Sequence, residues 1–215
     1  MLNTSFTLVD SANPQTLLIT GSVHGGKTRL ARAYTASHVE RGDTVIWIDN
    51  DVSPERSLKE WLDYFTTDYG NEKTARATLT SAKLFICIPT TEDIIEIVSR
   101  YIELHSDNNL TVVVNDIDRN KGATLASFAK EHNIHLIAIY STAYSAKNTL
   151  GDIPALRGDD QLGSAFDCVV NIRSYDNTNN DQHTMRVIRI VRELKQESCT
   201  YTLEAKSGMI MDMTE

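Results

Sequence analysis

The chain has 215 residues, 41% of them hydrophobic and 23% charged, with a formal net charge of −8 and a pI near 5.2. That length is enough to bury a full core, and the composition excludes a disordered or membrane-embedded chain. The acidic balance argues against passive, tight binding of duplex DNA, which needs clustered Lys and Arg against phosphate. Three scattered cysteines, Cys87, Cys168 and Cys199, read as buried free thiols in a reducing compartment and exclude a disulfide scaffold. No basic and apolar leader pattern follows Met1, and no apolar run approaches spanning length. A cytoplasmic protein with no membrane contact is expected.

Residues 1–15 read as a short polar lead-in. Thr16-Leu17-Leu18-Ile19-Thr20, bounded by Pro14 and Gly21, is an apolar run of buried-strand length. Gly21, Ser22, Val23, His24, Gly25, Gly26, Lys27 and Thr28 then spell G-x-x-x-x-G-K-T, the phosphate-binding loop pattern, and Arg29 follows. Leu30, Ala31, Tyr34 and His38 continue at helical spacing to about Arg41, with Gly42 as the C-cap. The chemistry explains the residue types. Glycines let successive N–H groups point inward at close range, and the helix directs its positive end at the same spot. Lys27 supplies a charge for outer phosphates and Thr28 a hydroxyl for Mg²⁺, whereas His24 reads as a solvent-facing filler. ATP and Mg²⁺ are therefore the cofactors expected.

Thr44–Asp49 reads as a second strand, apolar nearly throughout, leading to Asn50-Asp51. Ser53-Pro54-Glu55 is a helix start, and Leu58, Trp61, Leu62 and Phe65 give that helix one apolar face. A polar stretch, 68–80, precedes a third strand at 83–88 and a helix carrying Ile94, Ile95, Val98 and Ile102. A fourth strand, 110–116, ends in Asn115-Asp116. A helix over 123–131 leads to a fifth strand, 134–140, a polar loop, 141–163, and a sixth strand, 166–173. His132 and His135 straddle a helix–strand boundary and read as a loop and strand start rather than a metal pair. Past a solvated run at 176–181, short alternating stretches at 187–191, 199–203 and 209–211 read as antiparallel strands added at the sheet edge.

Alternating strands and helices predict an α/β fold, a mostly parallel sheet wrapped on both faces, in one nucleotide-binding domain spanning 1–215. In such sheets ligands sit at the carboxyl ends of strands. Gly21–Thr28, Asp49–Asp51, Asn115–Asp118 and Tyr140–Thr142 all fall there, which locates the site.

Over roughly residues 15–212 these motifs together resemble the RecA/DnaB-type ATPase core, a three-layer RecA-like fold. Val45-Ile46-Trp47-Ile48-Asp49-Asn50-Asp51 is similar to the recombinase segment whose catalytic glutamate follows a strand ending Ile-Asp, and Asp51 falls at that glutamate. The fourth strand matches the Walker B strand. Asn115 and Asp116 both fit its acid position, with Asp116 preferred as the carboxylate that holds Mg²⁺. The helix and strand from Ala123 to Ile139, and Pro154-Ala155-Leu156-Arg157-Gly158 before the sixth strand, look like the corresponding helicase segments. Ser141 or Thr142 falls at the family's strand-end sensor, glutamine in the family. The family's lysine-x-arginine pair, which reaches a neighbouring subunit's nucleotide, becomes Arg192-Glu193-Leu194-Lys195, with Arg192 at the first member.

The resemblance implies an ATP hydrolase acting as a homo-oligomer, with DNA or a DNA-processing protein as partner. Asp51, shorter than glutamate, implies slow turnover. The chain lacks the helicases' amino-terminal helical domain. Two other readings stand beside it: an ATP-controlled assembly module with little hydrolysis, and a P-loop kinase of small molecules.

Overall fold

The computed structural model describes residues 16–22, 26–50, 52–89, 93–104, 109–142, 160–175, 182–191, 196–204 and 210–212. Strands β1 (Thr16–Ser22), β2 (Thr44–Asp49), β3 (Leu84–Cys87), β4 (Leu110–Asn115), β5 (His135–Thr142) and β6 (Cys168–Tyr175) are parallel. Strands β7 (Gln182–Val191), β8 (Gln196–Glu204) and β9 (Ile210–Asp212) continue the same sheet antiparallel. The order across the described sheet is β3-β2-β4-β5-β1-β6-β7-β8-β9. This is an α/β fold of the RecA-like kind, with the expected antiparallel extension after the sixth strand.

Six helices lie among the described residues: α1 (Lys27–Arg41), α2 (Pro54–Tyr69), α3 (Glu72–Ser81), α4 (Ile94–Leu104), α5 (Arg119–Glu131) and α6 (Asp160–Ala165). Successive strand residues face opposite sides of the sheet, so each apolar strand feeds two cores. Leu17, Ile19, Trp47 and Val113 join Leu30 of α1, Trp61 and Phe65 of α2, and Ala75 of α3. Leu18, Ile46, Ile48, Val112 and Val114 join Val98 of α4, Leu125 of α5 and Leu162 of α6. Helices α1–α3 therefore cover one face and α4–α6 the other.

The first core is anchored by aromatics. Trp47 meets Trp61 edge-on at 5.3 Å between ring centroids, and Trp61 stacks on Phe65 at 5.7 Å. Such pairs add about 0.5–1.5 kcal/mol each beyond their buried area. The Arg32 guanidinium lies 5.4 Å from the Trp47 ring centroid and 5.6 Å from that of Trp61, and it pairs with Glu60 at 2.6 Å. That contact ties α1 to α2 directly over β2.

Several element boundaries differ from the sequence reading, each for a local reason. The polar stretch 68–80 contains helix α3, capped by the Asn71 side chain, which accepts from the Lys73 and Thr74 N–H groups. Only Ala75 of that helix is fully buried, so no apolar stripe announces it. Helix α5 starts at Arg119, not 123, because Asp118 caps it by accepting from the Asn120 N–H at 2.8 Å. Loop 141–163 gives its first two residues to β5 and its end to α6, whose Leu162 is buried. Strands β7 and β8 run longer than 187–191 and 199–203, since polar residues at alternate positions carry no apolar signal. The readings of 1–15 and 176–181 concern residues outside those described.

Cys168 is buried and Cys87 half-buried, both free, and burial pushes the Cys87 thiol pKa up. His132 ends α5 at the surface, while His135 opens β5 half-buried with its ring 5.3 Å from that of His38. Among the described residues no helix is long and apolar enough to cross a membrane.

Candidate functional site

Strand β1 delivers the chain to the carboxyl edge of the sheet between β5 and β6. Gly21 pairs with Ser141 on one side and Ile172 on the other. A Cβ at Gly21 would stand 2.6 Å from the Ile172 carbonyl oxygen, so only glycine allows the three strands to close this tightly. Ser22 ends the strand beside Thr142, and Val23, His24 and Gly25 lie outside the described residues. The chain re-enters at Gly26, which takes the left-handed φ of 86° at the N-cap of α1 without a side chain to offer the helix N–H groups. Those donors are left facing the loop, where an anion can take them.

Lys27 and Thr28 are the first two residues of α1. Lys27 is only 6% exposed. Burial lowers its pKa, and the nearby Asp116 carboxylate partly offsets this. Arg29, half-buried, follows on the helix and lies close enough to Arg32 to oppose its charge.

The Thr28 hydroxyl donates to Asn115 Oδ1 at 3.3 Å, and Asn115 Nδ2 donates to Asp49 Oδ1 at 3.0 Å. Trp47 Nε1 donates to the other oxygen, Asp49 Oδ2, at 3.4 Å. The direction of this chain is chemically fixed. A carboxylate only accepts, so Asn115 must turn its NH₂ toward Asp49 and its oxygen toward Thr28. Asp49 and Asn115 are the last residues of β2 and β4 and are partners across the ladder. Both are buried, Asp49 to 1% exposure and Asn115 to 7%.

The sequence reading prefers Asp116 for the position opposite Thr28; the side chain that meets Thr28 is Asn115. Strand parity is the reason. Val113 faces the core under α1, so residue 115 faces α1 as well, and 116 falls on the opposite parity. Asp116 then leaves the ladder with φ 58°, a left-handed turn that aspartate tolerates, and its side chain is exposed. The turn is held by Asn50 Nδ2, which donates to the carbonyls of Asn115 and Asp116 at 3.2 Å each. Asp49 itself escapes the sequence reading. Its signal is a lone carboxylate closing an otherwise apolar strand, in register with the Walker B strand end.

Asp51 lies outside the described residues, as do Arg157, Arg192 and Lys195. The helix after Asp51 has its own cap, because the Ser53 hydroxyl accepts from the Arg56 N–H and Pro54 occupies the first turn. Asp118 is engaged as the cap of α5. Farther along the edge, Asn171 Nδ2 donates to Thr20 Oγ1 at 2.9 Å, clamping β6 to β1 just below the loop.

No protein-family model matches this chain, and no curated protein matches its sequence. Solved structures do share its fold. The ATPase domain of one DnaB-like helicase superimposes with a TM-score of 0.79 over 93% of this chain and 85% of that one, at 14% identity. A second DnaB-like replicative helicase, solved for its interactions with primase, gives 0.76 at 12% identity over 93% of this chain. This chain spans 57% of that helicase's length. A KaiC-like protein from the hyperthermophilic archaeon Pyrococcus horikoshii OT3 gives 0.62 at 14% identity, covering 94% of this chain and 90% of that protein. By structure, then, this chain is similar to the DnaB-like helicase ATPase domain and to KaiC-like proteins, and it has the RecA-like fold that they share.

Proposed function

We propose that this protein binds Mg²⁺-ATP at Gly21–Arg29 and hydrolyses it slowly, as a cytoplasmic, self-associating ATPase accessory to DNA transactions. The observation that carries the reading is the Thr28–Asn115 hydrogen bond, which joins the start of α1 to the Walker B strand end. It is the coupling a nucleotide pocket needs between its phosphate and metal sides.

Helix α1 offers its N-terminal N–H groups and Lys27 to the phosphates. The residues fit a magnesium ion. Thr28 has its hydroxyl hydrogen committed to Asn115, so the oxygen's lone pairs remain for a cation, and the surrounding donors are hard oxygens of Asn115, Asp49 and Asp116. Among the described residues no three His, Cys, Asp or Glu side chains gather into a cage, and Mg²⁺ commonly leans on few carboxylates plus phosphates and water. When bound, the ion would neutralise phosphate charge during transfer.

Asp51 is the residue proposed to orient the attacking water. Ser53 already caps α2, so that structural duty does not fall to Asp51. Arg192 is proposed to reach a neighbouring subunit's nucleotide. The neutral amide of Asn115 where the family carries an acid favours a second reading, in which ATP controls assembly with little turnover.

One experiment separates these readings: steady-state ATP turnover with and without single-stranded DNA, with mass in solution measured by light scattering. Slow turnover that Asp51→Asn removes and Asp51→Glu keeps, in a species that grows with an ATP analogue, supports the ATPase. Tight ATP binding and assembly with no turnover supports the second reading. A monomer that binds no ATP refutes both.

A further inference from the structure

Resting on the nucleotide-site reading above, we propose that Asp49 is a positioning residue that supplies, through the Asn115 amide, the negative charge needed to hold Mg²⁺ against Thr28. The fold places a neutral side chain opposite Thr28 and sets a buried carboxylate one strand away, in register with it. The acid has moved from the end of β4 to the end of β2.

Three features of the geometry carry this assignment. Both carboxylate oxygens of Asp49 receive hydrogen bonds from rigid groups, Trp47 Nε1 and Asn115 Nδ2. The anion is thus held in one orientation within a buried layer. Pull on the Asn115 N–H by a carboxylate raises the electron density on the same amide's oxygen, and hydrogen bonds in series strengthen one another in this way. The oxygen so enriched is the one that takes the Thr28 hydrogen. Arg32 offers another account of Asp49, as its counter-ion, but the guanidinium is held 2.6 Å from Glu60, which influences it more strongly than Asp49 does. Asp116, the remaining acid nearby, is exposed and is the carboxylate that acts on Lys27.

The arrangement has a chemical mirror. In the double variant Asp49→Asn with Asn115→Asp, the amide now at position 49 accepts from Trp47 Nε1 and donates to the carboxylate now at position 115. That carboxylate in turn accepts from Thr28. All three hydrogen bonds survive and the charge moves to the other strand.

The test is the ratio of affinities for a fluorescent ATP analogue in Mg²⁺ and in EDTA, alongside a thermal melt. Asp49→Asn is expected to lower that ratio about tenfold or more, the size of loss seen when the partner that orients a metal ligand is removed. The double variant is expected to restore it to within about threefold, because the hydrogen bonds and the charge are both back. An unchanged ratio in Asp49→Asn overturns the proposal, most directly if Asp116→Asn loses the ratio instead. Should Asp49→Asn melt early, the double variant decides alone: if it is folded and has no Mg²⁺ dependence, Asp49 is only structural. A failure of the unaltered chain to bind the analogue in either buffer overturns the nucleotide-site reading itself, and this proposal with it.

Discussion

Replacing Lys27 with methionine should separate affinity from stability. The side chain keeps its methylenes, so little packing is lost, and the ammonium alone is removed. In the free protein Lys27 is 6% exposed, and burial lowers its pKa, which means the fold holds a charge at some expense. Its attraction to Asp116 offsets part of this. Asp116 is exposed, and water-screened pairs contribute only about 0–1 kcal/mol. Unfolding free energy should therefore stay within about 1 kcal/mol of the unaltered value, a shift of about 2–4 °C at this chain length. Nucleotide binding should suffer far more. A hydrogen bond to a charged group contributes about 1.5–3 kcal/mol, and each 1.4 kcal/mol is tenfold, so ATP affinity should fall by about 10–150-fold. Isothermal calorimetry and a thermal melt on the same preparation check both halves. A variant that melts ~10 °C lower yet keeps its ATP affinity would show that Lys27 serves the core and not a phosphate.

Two other outcomes test the scaffold around the site. Gly21→Ala should lower the melting temperature by roughly 3–10 °C, because its Cβ must push β1 away from the Ile172 carbonyl, an overpacking penalty of about 1–3 kcal/mol. An unshifted melt would mean the strands are not packed as closely as described. His38 should make stability pH-dependent: burial, Arg41 and His135 hold its pKa down to about 4 from 6.5, against the opposing pull of Asp43. The folded chain keeps the ring neutral while the unfolded chain protonates it near 6.5. Stability is thus full above that pH and falls as the pH drops toward 4, by up to about 3 kcal/mol. Urea unfolding of His38→Gln across this window should show a flatter pH slope than the unaltered chain, and an equal slope would refute the assignment.

Much of this protein is legible in its sequence because the signals are local. Gly21–Thr28 declares its loop through glycines and a Lys-Thr pair that no ordinary turn requires, and the apolar runs of β1, β2 and β4 declare a sheet covered on both faces. The start of α2 is equally legible, since Ser53, Pro54 and Glu55 cap a helix using their own short-range chemistry. Helix α3 is not, because it is held by an Asn71 cap and one buried alanine rather than by an apolar stripe. The choice between Asn115 and Asp116 is also beyond the sequence. Both are polar strand-end residues, and only the position of α1 over the Val113 face says which of them meets Thr28. The same holds for Asp49. Its importance comes from a partner 66 residues away, brought opposite by the β2–β4 ladder, and register between strands is a property of the assembled sheet.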